Sequence, residues 1–207
     1  MGILGVILAG GQSRRMGGGD KCLKLLGDKL LLSYICERLE PQVDAMILSA
    51  NGTLERFAEF GIPVVSDGPN PVRGPLAGIL AGMDWAAAHG REFTHIASVA
   101  ADTPFFPDDL VARLKVPCAG SLFTIALATS DGVTHPVFGL WPMMLRPDLA
   151  RWGTETDDWS VMSWAARHPL AKVPFAFEEL TDGRMRDPFF NINSPDDLAS
   201  AEAFVAQ

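Results

Sequence analysis

The chain is predicted to form an α/β fold, one domain with a mostly parallel central sheet and helices on both faces. Three observations predict it. Continuous apolar runs suit strands buried on both faces, and helical patterns alternate with those runs. The length of 207 residues, with 48% hydrophobic and 20% charged residues, suits a single globular core.

The elements follow in order. Residues 3–9 are an unbroken apolar run and read as the first strand. Residues 30–39 have helical spacing and stop before Pro41. Residues 45–50 read as a second strand, 54–60 as a short helix and 62–66 as a third strand. Residues 75–89 are small, apolar and Ala-rich, a helix with Gly90 close to its end. Residues 93–100 are a fourth strand, and this β–α repetition argues for parallel pairing.

The second half is less regular. Residues 122–128 and 133–141 read as strands joined by a turn at Ser130-Asp131-Gly132. Residues 143–151 and 160–168 are helical in pattern, and 171–177 is a further strand. Residues 195–206 close the chain as a helix, with Ser194 as N-cap and Pro195 at the first helical position. There is no repeat and no linker, so residues 1–207 count as one domain.

Composition narrows the function classes. The formal net charge is -8, which disfavours nucleic acid and anionic membranes as main partners. Cys22, Cys36 and Cys118 are odd in number and lack CxxC spacing, which points to free thiols in a reducing compartment. The apolar start has no basic residue before it and is too short to span a membrane. A cytoplasmic, soluble protein is expected.

The most informative segment follows the first strand, at residues 8–21. Five of its fourteen residues are Gly; Arg14 and Arg15 lie mid-loop and Lys21 closes it. Glycines let backbone N–H groups approach a phosphate, and Arg15 and Lys21 can neutralise its charge. A loop at the carboxyl end of a buried parallel strand is where such sheets bind ligands. Other phosphate loops fit badly: Asp20 stands where a P-loop needs Gly, and GxGxxG is absent from the loop. Asp102, directly after the fourth strand, is a carboxylate placed opposite that loop and suited to Mg²⁺. With Pro104 after it, a turn role also fits.

The stretch LAGGQSRRMGGGDK resembles the signature of the molybdenum cofactor guanylyltransferases, within a wider group of Rossmann-like NTP-dependent nucleotidyltransferases. The likeness extends along nearly the whole chain. Arg73-Gly74-Pro75-Leu76-Ala77-Gly78 resembles the guanine-contacting segment, which differs in related cytidylyltransferases. The resemblance implies nucleotide contacts at Leu8, Ala9, Gly10, Gly11, Lys21, Asn51, Asp67, Gly74 and Asp102, with Arg15, Lys21 and Asp102 catalytic. Asn51-Gly52 and Asp67-Gly68 also fit ordinary turns. Asn191 and Asn193 resemble the family's NIN segment facing the acceptor and the metal, and strand spacing would point both one way. The His135-Pro136 stretch also resembles a family segment, which makes His135 an acceptor-site candidate. This chain has Ala101 where the family usually has Cys.

The implied reaction transfers GMP from GTP to the terminal phosphate of molybdenum-molybdopterin, giving the guanine dinucleotide cofactor and pyrophosphate, with Mg²⁺ as cofactor. The GTP half would be roughly residues 1–110 and the acceptor half roughly 111–207. Transient contact with cofactor insertion proteins or molybdoenzymes belongs to the same expectation. The rivals are a cytidylyltransferase on the same acceptor, a sugar-phosphate nucleotidyltransferase, and a non-catalytic guanine-nucleotide or cofactor-binding module.

Overall fold

The computed structural model of the protein describes residues 2–10, 20–69, 72–89 and 92–205. Its centre is a seven-stranded sheet. In chain order the strands are β1 (Gly2–Leu8), β2 (Ala45–Ser49), β3 (Val64–Val65) and β4 (Phe93–Ala100). They are followed by β5 (Ile125–Ser130), β6 (Val133–Pro142) and β7 (Leu170–Phe175). Their spatial order is β3-β2-β1-β4-β6-β5-β7, and every strand runs parallel to the others except β6. The order reverses between β1 and β4, and the crevice at such a point is where open α/β sheets take ligands.

The sheet has a core on each face because successive β1 side chains point opposite ways. Ile3 and Ile7 join the cluster built with α1 (Leu31–Leu39) and α3 (Leu110–Lys115). Leu4 and Val6 join the cluster built with α2 (Pro75–Ala88), α4 (Arg146–Glu155) and α5 (Val161–Ala165). The last helix, α6 (Pro195–Val205), lies on the α1 face through Ala201, Phe204 and Val205. The parallel sheet with helices on both faces is therefore as expected. Ser194 caps α6: its Oγ accepts from Asp197 N–H at 3.1 Å while the Asp197 carboxylate accepts from Ser194 N–H at 2.8 Å.

Helix α2 is seated unusually close to the sheet. A Cβ at Gly78 would lie 2.5 Å from Leu8 Cδ2 and 2.7 Å from Ser49 Oγ, and one at Gly82 would lie 2.6 Å from Val6 Cγ2. These two glycines, one helical turn apart, let the backbone settle onto β1 and β2. The entry to α2 is made at Gly74, whose φ of 64° and ψ of -149° suit glycine alone.

Several elements differ from the sequence expectation. Residues 54–60 form a 3-10 helix, and the 143–151 segment opens as 3-10 turn Met143–Leu145 before α4. The strand expected from 122 begins at Ile125, because Thr124 and Phe123 N–H groups donate to Ser121 Oγ and close a local turn. The 160–168 helix is shortened to α5, with Ser160 as its N-cap. Asn191 and Asn193 are in no strand; the intervening Ile192 N–H donates to Asp102 O at 2.9 Å. Gly90 and residue 206, expected near helix ends, lie outside the described residues.

The three thiols are free, and burial pushes Cys22 and Cys36 up to about 12 and Cys118 up to about 11. At neutral pH all three are held as thiols rather than thiolates. No described helix is long and apolar enough to cross a membrane.

Candidate active site

A cavity of about 440 Å³ opens at the carboxyl ends of β1, β2 and β4. Its walls are laid down by the sheet ladder continuing past the strand ends. Ala9 N–H donates to Ser49 O, Ala50 N–H to Val65 O, and Ala101 N–H to Leu8 O. These bonds hold the segments leading to Gly10, Asn51 and Asp102 in fixed register.

The cavity brings together Leu8, Gly10, Asn51, Asp67, Gly74, Asp102 and Asn191, all singled out in the sequence. Ala9 lies between Leu8 and Gly10, just past the end of β1. Gly11 and Arg15 lie outside the described residues. Asn51 and Asp67 form a reciprocal pair: Asn51 Nδ2 donates to Asp67 Oδ2 at 2.7 Å, and Asp67 N–H donates to Asn51 Oδ1 at 3.1 Å. Ser49 Oγ also donates to Asp67 Oδ1, at 3.3 Å. Asn51 and Asp67 are thus one polar unit rather than two separate turns.

At the other side of the cavity, Lys21 Nζ donates to Asp102 Oδ2 at 2.8 Å and to Asn193 Oδ1 at 2.6 Å. Asn193 is set by the α6 cap, because its N–H donates to Asp197 Oδ2 at 2.9 Å. That backbone donor, together with those of Ser194, holds the Asp197 carboxyl below its ordinary value. Asp102 and Asn193 therefore present two oxygen acceptors to one cation, the Lys21 ammonium. Among the described residues no three His, Cys, Asp or Glu side chains gather around a common point. One carboxylate and one amide oxygen are hard ligands of the kind Mg²⁺ takes, and would leave most of its coordination sphere to other oxygens.

His135 stands apart from the cavity lining. Its Nε2 is 2.7 Å from Ser130 Oγ, which donates to Asp187 Oδ1 at 2.9 Å. Since the single hydroxyl proton goes to the carboxylate, Nε2–H of His135 must donate to Ser130. The ring stacks on Phe189 with centroids 4.4 Å apart, and burial lowers its proton affinity. His135 thus braces the 187–190 segment that leads to Asn191.

Five residues of the site were not legible as such in the sequence. Ser49, Ala100 and Val137 line the cavity. Val137 gets there through a bulge: β6 pairs Gly139 with Leu127 but His135 with Ala128, which leaves residues 136–138 outside the ladder. Buried Ser98 fixes that bulge, donating to Val137 O at 2.5 Å and accepting from Trp141 Nε1 at 2.8 Å. The fifth is Arg56, which ties Asp20 to the backbone carbonyl of Asn51.

A switch-point cavity with a Lys–Asp pair at one end, a bare helix start and an Asn–Asp pair at the other is the arrangement of a nucleotidyltransferase of the Rossmann-like class. The chain belongs to the family described as the MobA-like NTP transferase domain, whose model matches residues 5–171. It is 46% identical over 202 residues to a molybdenum cofactor guanylyltransferase of Bradyrhizobium sp. (strain ORS 278), covering 98% of this chain and 92% of that one. A protein of the same name from Mesorhizobium japonicum is 47% identical over 199 residues, covering 96% and 94%. In fold the chain is similar to the crystal structure of molybdopterin-guanine dinucleotide biosynthesis protein A from Archaeoglobus fulgidus. The TM-score is 0.73 at 23% identity, covering 99% and 98% of the two chains.

Proposed function

We propose that this protein transfers GMP from GTP to the terminal phosphate of molybdenum-molybdopterin, giving the molybdopterin guanine dinucleotide cofactor and pyrophosphate. The observation that carries the reading is the cavity itself, where Leu8, Asn51, Asp67, Gly74 and Asp102 converge from four separate strand ends and one helix start. The names of the full-length relatives support the substrate pair.

An oxygen of the acceptor phosphate attacks the α-phosphorus of GTP, and the bond to the pyrophosphate oxygen breaks. The nucleophile is already an anion, so no strong general base is required. Lys21 binds and neutralises the nucleotide phosphates, with Arg15 assigned the same task from the sequence. Asp102, with Asn193 beside it, would hold Mg²⁺; the ion, when bound, supplies charge neutralisation for the phosphates. Asn51 and Asp67 orient the nucleoside, and Gly10 and Gly74 leave backbone bare for the base. Asn191 and Asn193 face the acceptor, and His135 braces their segment. The residues up to about 110 form the GTP half and those from about 111 the acceptor half.

Guanine is selected over cytosine in this reading because its exocyclic amine and ring N–H find backbone carbonyls near Leu8 and Pro75. A base lacking those donors would leave buried acceptors unpaired. The protein works in the cytoplasm and passes its product on through transient contacts with insertion proteins or molybdoenzymes. The test is competition among the four NTPs with Mg²⁺ and molybdenum-molybdopterin, following pyrophosphate. GTP alone should support turnover; a larger rate with CTP would overturn the guanine assignment, and no pyrophosphate with any NTP would leave a binding module.

A further inference from the structure

We propose that Arg56 is a positioning residue for the nucleotide, a strut that sets the distance between the Lys21 end and the Asn51 end of the cavity; this rests on reading the cavity as the GTP site. Arg56 lies on the 3-10 helix Leu54–Phe60 and does not line the cavity. Its guanidinium is engaged along two edges. Nε and Nη2 both donate to the Asp20 carboxylate, Nη2 reaching Oδ1 at 3.2 Å. Nη2 also donates to Asn51 O at 2.8 Å, and Nη1 donates to Thr53 O. The plane sits 4.3 Å from the centroid of Phe57, which is fully buried.

A guanidinium held at both edges and against a fixed ring has little freedom left. Its two anchors are informative. Asp20 directly precedes Lys21, the residue that reaches Asp102. Asn51 carries the amide that pairs with Asp67. Arg56 therefore spans the phosphate end and the nucleoside end of one ligand. It also cancels the Asp20 carboxylate, which is only 24% exposed and has no other cationic partner among the described residues, so that its charge would otherwise repel incoming phosphates. Losing the strut should loosen the spacing and restore a repelling charge, and both effects act on GTP rather than on the acceptor.

The experiment compares wild type, Arg56→Gln, Arg56→Lys, Asp20→Asn and the Arg56→Gln/Asp20→Asn double variant. Calorimetry gives the Kd for GTP with Mg²⁺, steady-state kinetics gives KM for each substrate, and melting gives stability. Arg56→Gln should raise Kd and KM for GTP about tenfold and leave the acceptor KM unchanged. Arg56→Lys should not rescue binding, because an ammonium cannot donate along both edges. In the double variant the effects should be less than additive, as expected for one coupled unit. Arg56→Gln or Arg56→Lys binding GTP as wild type does would overturn the strut, as would equal losses for GTP and acceptor. If Arg56→Gln does not fold, Arg56→Lys decides between the same outcomes. Wild-type protein that bound no GTP would instead overturn the underlying reading, and this inference with it.

Discussion

Lys21 Nζ and Asp102 Oδ2 are 2.8 Å apart although 81 residues separate them in the chain. The pair is partly buried, with side-chain exposures of 16% and 26%. Asn193 completes the set from a third segment, 172 residues from Lys21. A cation shared between two oxygen acceptors at a cavity edge joins Lys21, the segment after β4 and the segment before α6.

Lys21→Ala should leave the fold intact while weakening GTP binding about tenfold and turnover by on the order of a hundredfold. The removed ammonium bridges Asp102 and Asn193 and, in the proposed mechanism, is the phosphate partner. Calorimetry and single-turnover kinetics separate the two effects. Wild-type turnover in this variant would detach the loop from the phosphates.

Asp102→Asn should bring turnover down by on the order of a thousandfold and still allow weak nucleotide binding. The amide remains able to accept from Lys21 but no longer offers an anionic ligand to a hard cation. A Mg²⁺ titration of the residual rate reads this directly. A rate with unchanged Mg²⁺ dependence would exclude Asp102 as ligand.

Gly82→Ala should destabilise the protein by about 1 kcal/mol. The new methyl would stand 2.6 Å from Val6 Cγ2. Val6 is fully buried on the interior strand β1, and a β-branched side chain is stiff at χ1, so it cannot swing aside. Overpacking of that kind costs about 1–3 kcal/mol, offset by about 1 kcal/mol of helix propensity gained over Gly. Urea unfolding with an unchanged m-value measures the difference; a stabilised variant would mean that α2 can rise off the sheet without loss.

His135 should give the fold a measurable pH dependence. Burial holds it below its ordinary value of 6.5, with Asp187 pulling the other way. Below 6.5 the unfolded chain takes up a proton before the folded one does. Stability is therefore complete above 6.5 and is lost as the pH falls from there through the lower folded value. One such group contributes a slope of no more than about 1.4 kcal/mol per pH unit. His95, also lowered by burial, acts in the same window, so His135→Gln should reduce the slope without abolishing it. Melting curves across that range test it, and an unchanged slope would show that His135 titrates alike in both states.

Much of the cavity lining is legible in the sequence alone. The buried strands announce themselves as apolar runs, and a loop at the carboxyl end of such a strand carries its chemistry in consecutive residues. Gly10 and Lys21 belong to one stretch, and Asp102 directly follows an apolar run, so local order and the rule for parallel sheets are enough to place them. The motif around Gly74 is visible for the same reason. The role of its small residues is only half visible: Gly78 lines the cavity, but it and Gly82 are also required for the approach to β1 and β2.

What depends on tertiary structure is every relation between distant segments. Periodicity states which way a side chain faces and says nothing of what stands opposite it. The antiparallel insertion of β6 between β4 and β5, and the bulge that brings Val137 to the cavity, are decided by strand pairing across the sheet. Asn193 is aimed by the cap of α6 and by Lys21, not by strand alternation. His135 reads in the sequence as an isolated histidine and becomes a brace only when Ser130, Asp187 and Phe189 converge on it. Arg56 carries no local signal at all, because its meaning lies in Asp20, 36 residues earlier, and the carbonyl of Asn51. Hydrogen bonds of this kind are made by whichever groups packing brings within about 3 Å, and packing is a property of the whole chain rather than of any window along it.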